Sequence, residues 1–150
     1  MIFVHALREA RSFAIFVVIL GLAAICCAHF LADEKQEEEW KAPPRAARKK
    51  NPIPADDKSK AAGKNVYIAQ CLSCHGNSGK GDGPASKDLN PKPHDLNEPK
   101  VAAQTDGALF WKLTEGRKPM PSFEKLITED ERWHVINYIR TFSAAPPPSK

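Results

Sequence analysis

The chain has 150 residues, of which 22 are Lys or Arg and 18 are Asp or Glu, for a formal net charge of +4. That length holds one domain with accessory segments, and interleaved charges of near-equal number exclude the gathered basic face that nucleic-acid binding requires. Four cysteines, two in an apolar run and two in the polar half, do not make a disulfide framework.

From the N-terminus, Arg8 and Arg11 precede a stretch without formal charge, SFAIFVVILGLAAICCAHFLA, at residues 12–32. Its 21 residues exceed the roughly 7–15 of a signal-peptide apolar region and reach the roughly 20 of a membrane span. Basic residues before it and DEKQEEE after it predict an N-terminus inside and residues 33–150 outside the cytoplasmic membrane, on its periplasmic side. Residues 1–32 are thus expected to be a transmembrane anchor or a signal peptide. Cleavage would follow the small residues CCA that end at Ala28, while bulky Ile25 argues against lipidation at Cys26 or Cys27.

Residues 33–60 hold eight basic residues, seven acidic residues and four prolines, with little apolar material besides Trp40. Such a segment buries too little surface to offset its ordering entropy, so it is expected to be a disordered linker. A flexible chain of 28 residues spans roughly 30 Å. The domain is expected at residues 61–143, with a short disordered tail at 144–150. It carries 11 basic and 10 acidic residues, and at this size its own side chains build only a marginal core.

Three helices are expected in it. The first, KAAGKNVYIAQC, spaces Val66, Tyr67 and Cys71 on one face. The second, TDGALFWKLTEG, opens with Thr105 and Asp106 as cap candidates and closes on Gly116. The third, TEDERWHVINYIRTF, begins with a capping box of Thr128 and Glu131. Val135, Ile136, Ile139 and Phe142 form its apolar face, bordered by Tyr138, while His134, Asn137 and Thr141 face the other way. No strand alternation is present. The long Gly- and Pro-rich loop between the first two helices is unusual in a small domain unless it wraps a ligand.

Within QCLSCHG, the spacing Cys71-x-x-Cys74-His75 is the attachment signature of c-type haem. Each thiol can add across a porphyrin vinyl group to form a thioether, and the adjacent imidazole can reach the iron. A zinc site would call for a second Cys or His pair downstream, yet no cysteine follows Cys74. A thioredoxin-like pair expects a βαβ context. A sixth iron ligand is expected from Met120, the one methionine besides Met1, held between Pro119 and Pro121 in a loop that the prolines stiffen. His94, in a proline-rich stretch, and His134, off the apolar face of its helix, are the rivals.

GKNVYIAQCLSCHG followed by KPMPSF and TEDERWHVINYIRTF resembles class I cytochrome c of the small bacterial monohaem kind, over about residues 61–143. The resemblance implies an all-α fold of three main helices and long loops around one covalently attached haem c. It implies Cys71 and Cys74 as thioether residues, with His75 and Met120 as axial ligands. Gly63 matches the small residue where the first and last helices cross, and Tyr138 the aromatic that packs there. A loop proline, Pro91 or Pro93, is expected to accept a hydrogen bond from the proximal imidazole. The implied function is one-electron transfer between a redox donor and acceptor, without enzymatic catalysis, as a carrier tethered to the membrane through residues 12–32 if these are uncleaved. A fixed subunit of a dehydrogenase or oxidase complex, and a haem enzyme or gas sensor with a labile sixth ligand, are the alternatives. Lys80, Lys87, Lys92, Arg117 and Lys118 flank the haem loops and could steer an acidic partner, or be ordinary solvated charges.

Overall fold

The structure, a computed structural model, describes residues 40–143. The chain divides into two units, Met1–Trp40 and Lys41–Lys150, and of the first only Trp40 falls in the described range. The anchor or signal expected at residues 1–32, the first part of the expected linker and the tail at 144–150 lie outside the described residues. Among the described residues no helix is long and apolar enough to cross a membrane.

Among the described residues six helices follow one another: α1 (Pro44–Ala47), α2 (Asp57–Gln70), α3 (Leu72–His75), α4 (Pro99–Ala102), α5 (Asp106–Glu115) and α6 (Glu129–Ile139), with a 3₁₀ turn at Pro84–Asp88 between α3 and α4. No strand occurs among the described residues, as expected of an all-α fold. Local chemistry sets the boundaries of the long helices. Asp56 caps α2 by accepting a hydrogen bond from the Ser59 amide at 2.7 Å, and Asp57 adds a negative charge to the first turn, where the helix dipole favours it. Thr105 caps α5, which ends on Gly116 at φ 68°. The capping box expected of Thr128 and Glu131 is present on α6.

The core lies where α2 crosses α6 and where α5 packs beside them. Trp133, Val135 and Ile136 of α6 are fully buried, and Tyr67 of α2 is 1% exposed. Trp133 stacks on Phe110 of α5 with ring centroids 4.0 Å apart. Such a pair contributes about 0.5–1.5 kcal/mol beyond the area it buries. Tyr67, Tyr138 and Phe142 form a second aromatic group with centroids 5.1–5.3 Å apart. Two arginines close the edges of the core. Buried Arg132 donates from Nη1 to the carbonyls of Phe123, Glu124 and Ile127. Arg140 pairs with Asp106 and donates to the Ala102 and Gln104 carbonyls, tying the end of α6 to the turn between α4 and α5.

Two sequence expectations need correction. Residues 41–60, read as part of a disordered linker, are folded onto the helical domain. Thr105 Oγ1 donates to the Ala47 carbonyl at 2.6 Å, and Lys49 pairs with Glu129 at 2.7 Å. Lys49 Nζ also lies 4.3 Å from the centroid of the Phe110 ring. Helix α2 starts at Asp57 rather than within the expected domain boundary at 61, because the Asp56 cap extends it. Asn137, expected on the outer face of α6, is 3% exposed. Its amide accepts from Asn51 Nδ2 at 2.8 Å and donates to Ser59 Oγ at 2.8 Å and to the Ile53 and Pro54 carbonyls. The N-terminal segment covers that face and satisfies the amide, so a polar side chain is buried without penalty.

Candidate functional site

Helix α2 gives way to the short helix α3 at Cys71, whose φ of −117° departs from helical geometry. The Cys71 carbonyl then accepts from both the Cys74 amide at 3.2 Å and the His75 amide at 2.9 Å. These bonds stack Cys71, Cys74 and His75 on one turn, as their spacing requires. Cys71 is buried, Cys74 is half-buried and both are free thiols. Burial pushes the Cys71 thiol up to about 12, with the neighbouring Cys74 adding to the effect.

Buried Nδ1 of His75 has no hydrogen-bond partner. Desolvation pushes the His75 pKa down, and the backbone of the neighbouring His94 offsets part of that shift. The His94 side chain itself is exposed. A neutral imidazole is the form that can ligate iron. His134, the other rival ligand, shares a 2.9 Å hydrogen bond between its Nδ1 and Ser59 Oγ at the α2–α6 crossing.

The loop after α3 returns over its carbonyl end. Gly81 donates to the His75 carbonyl at 2.9 Å and Gly83 to the Cys74 carbonyl at 3.1 Å, while the Gly76 amide closes on Leu72 at 2.8 Å. Gly81 has φ 73°, and a Cβ there would meet the Pro93 carbonyl oxygen at 2.2 Å. Any side chain would push Gly81 away from the Pro93–His94 backbone. The hydrogen bond expected from the imidazole to the Pro91 or Pro93 carbonyl is not formed at His75 Nδ1, which has no partner; the Pro93 carbonyl packs instead on Gly81, whose amide bonds the His75 carbonyl.

Met120 lies in the loop between α5 and α6. Its amide donates to the Arg117 carbonyl at 2.9 Å and its carbonyl accepts from the Arg117 amide at 3.0 Å. The Phe123 amide donates to the Leu113 carbonyl at 2.9 Å, which folds the loop back along α5. Met120 is half-buried and packs against the apolar cluster that contains Cys71, Tyr67 and Phe110. The structure therefore brings Cys71, Cys74 and His75 together on one turn and returns Met120 to the core that Cys71 joins. Lys80, Lys87, Lys92, Arg117 and Lys118 are all exposed.

The donor set fits a haem of the c type. Two free thiols are set one turn apart, the adjacent half-buried imidazole has a buried Nδ1 without a hydrogen-bond partner, and a thioether sulfur is held in a bracketed loop against the same core. Sequence reasoning missed one residue of this neighbourhood. Tyr67 was read as core from its place on the apolar stripe, yet its hydroxyl donates to the Gly76 carbonyl at 2.7 Å. Nothing in the spacing could name that acceptor, which the turn after His75 brings into reach.

The family described as cytochrome C oxidase, cbb3-type, subunit III matches residues 58–139. A cytochrome c6 from Rippkaea orientalis is 34% identical over 79 residues, covering 53% of this chain and 67% of the relative. Among solved structures, a chain of the Kuenenia stuttgartiensis reducing HAO-like protein complex is similar with a TM-score of 0.56 and 30% identity. That match covers 61% of this chain and 47% of the other, so the chain spans about half the length of its structural neighbour.

Proposed function

The chain belongs to the cytochrome c oxidase, cbb3-type, subunit III family as a monohaem class I cytochrome c with covalently bound haem c, and from that premise we propose that it relays single electrons between redox proteins on the periplasmic side of the cytoplasmic membrane. In this reading Cys71 and Cys74 would carry the thioether bonds, and His75 and Met120 would ligate the iron. Haem c supplies the one-electron couple. The chain supplies its tuning. The soft sulfur of Met120, paired with the His75 imidazole, would raise the reduction potential. Two such protein ligands would disfavour catalysis and gas binding.

One observation carries the reading: the buried, unpartnered His75 nitrogen beside two free thiols on the same turn. The test is the mass and colour of protein made in a cell that attaches haem. Denatured protein should keep its pigment in acidic organic solvent and weigh one haem more than the polypeptide. Pigment that extracts freely, or its absence, overturns the reading. The same mass spectrum reports whether residues 1–32 remain attached.

A second reading, a fixed subunit of a larger redox complex, is favoured by two observations. The family description names an oxidase subunit, and the structural neighbour comes from a protein complex. Affinity capture from solubilised membranes separates the two readings. A stoichiometric assembly that survives high salt supports the subunit, and a monomeric haem protein supports the free carrier.

A further inference from the structure

We propose that Tyr67 is a positioning residue for the axial histidine: by holding the Gly76 carbonyl, its hydroxyl fixes the turn that carries His75 and with it the plane of the imidazole. The inference rests on the reading of His75 as an iron ligand.

The carbonyl end of α3 is held by four donors within 3.1 Å. The Gly76 amide bonds Leu72 at 2.8 Å, the Gly83 amide bonds Cys74 at 3.1 Å and the Gly81 amide bonds His75 at 2.9 Å. Tyr67 Oη bonds Gly76 at 2.7 Å. The first three donors come from the loop or from the turn itself. Only Tyr67 comes from a long helix that is fixed elsewhere. Its ring is 1% exposed and is held edge-on by Phe142 at 5.2 Å and tilted against Tyr138 at 5.3 Å. Without the hydroxyl, the Gly76 carbonyl keeps only the Gly79 amide at 3.4 Å, near the limit of a useful bond. Gly76 directly follows His75 and has φ 76°, so its carbonyl anchors the end of the turn, one peptide beyond the backbone from which the imidazole projects. Burial raises the Tyr67 pKa, which keeps the phenol in its donor form. The path from fold to ligand thus runs from the α2–α6 crossing at Gly63, along one turn of α2 to Tyr67, and through its hydroxyl to the residue after His75.

The test uses ferric holoprotein and the hyperfine-shifted haem-methyl resonances in proton NMR, whose pattern reports the orientation of the axial imidazole plane. Tyr67→Phe keeps the ring and removes the donor. We expect its haem-methyl pattern to change, while Tyr138→Phe, which removes a hydroxyl from the same aromatic group, leaves the pattern as in the wild type. A merely structural hydroxyl would lower the denaturation midpoint and leave the methyl pattern unmoved, and that result overturns the proposal. Should Tyr67→Phe fail to accumulate, a second route remains. The chain has two tyrosines, so fluorotyrosine incorporated in the Tyr138→Phe background labels Tyr67 alone and makes it a stronger donor. An unchanged methyl pattern there also overturns the proposal, and a displaced one supports it. If His75 is not a ligand, the wild-type protein itself lacks the low-spin histidine signature, which separates failure of the ligand reading from failure of the positioning role.

Discussion

Gly63 and His134 meet backbone to side-chain position at the α2–α6 crossing: a Cβ on Gly63 would lie 2.0 Å from the His134 carbonyl oxygen and 3.0 Å from Tyr138 Cβ. The first obstacle is main chain and cannot rotate away. Glycine in a helix interior costs up to about 1 kcal/mol relative to alanine, so its presence here reflects the crossing. Gly63→Ala is expected to destabilise the holoprotein by about 1–3 kcal/mol, as overpacking does, despite the gain in helix propensity. Chemical denaturation followed by haem absorbance measures it. A neutral or stabilising result would mean that the helices do not approach this closely.

Asn51 joins the N-terminal segment to α6. Its Nδ2 donates to Asn137 Oδ1 at 2.8 Å and its Oδ1 accepts from the Ile53 amide at 3.0 Å. Asn51→Ala leaves the buried Asn137 oxygen without its donor, which costs about 1–3 kcal/mol. Lys49→Ala removes a partly exposed ion pair and a cation–π contact, and its expected cost is smaller, about 1 kcal/mol. If both variants melt with the wild type, residues 41–56 are not held on the domain in solution.

Glu131 gives the fold a predictable acid response. Hydrogen bonds from the Thr128 amide and then its hydroxyl lower the Glu131 pKa below the usual 4.5. A carboxylate whose folded pKa is depressed contributes stability that is complete above the unfolded value and is lost as pH falls through the folded one. Glu131→Gln is therefore expected to cost about 0.5–1 kcal/mol near neutral pH, in the range of a weakened helix cap. That difference from wild type should shrink as the pH falls below about 4.5. A gap that is constant from neutral to acidic pH would exclude the ionised carboxylate as its source.

The long helices could be read from the sequence because their signals are local. Thr105, Gly116 and the Thr128–Glu131 pair act within a turn of the boundary they set. The turn of Cys71, Cys74 and His75 was equally readable, since its chemistry depends on spacing alone. Residues 41–60 were not. Their prolines and mixed charges look solvated in isolation, and their partners lie far along the chain, with Lys49 and Glu129 80 residues apart and Asn51 and Asn137 86 apart. Asn137 was misplaced for the same reason, because helical periodicity gives a direction and not what covers it. The Tyr67 hydroxyl required the loop after His75 to be built before its acceptor existed.

Met120 offers the sharpest test of the ligand set. The bracket of hydrogen bonds to Arg117 and the packing of Met120 on the core are made by backbone and apolar contact. Replacing the sulfur should leave the loop and the thioether attachment intact. Met120→Ala is thus expected to retain covalent haem and lose the methionine–iron charge-transfer band. It should bind carbon monoxide readily in the ferrous state and have a lower reduction potential, because the soft sulfur that favours ferrous iron is gone. Loss of a half-buried methionine from the cluster adds a stability cost of about 2–3 kcal/mol, which denaturation measures separately from the potential. A variant with the wild-type spectrum and potential would remove Met120 from the iron and reopen His94 and His134 as ligands. Of these, His94 is the one beside His75, whereas His134 would first have to release Ser59.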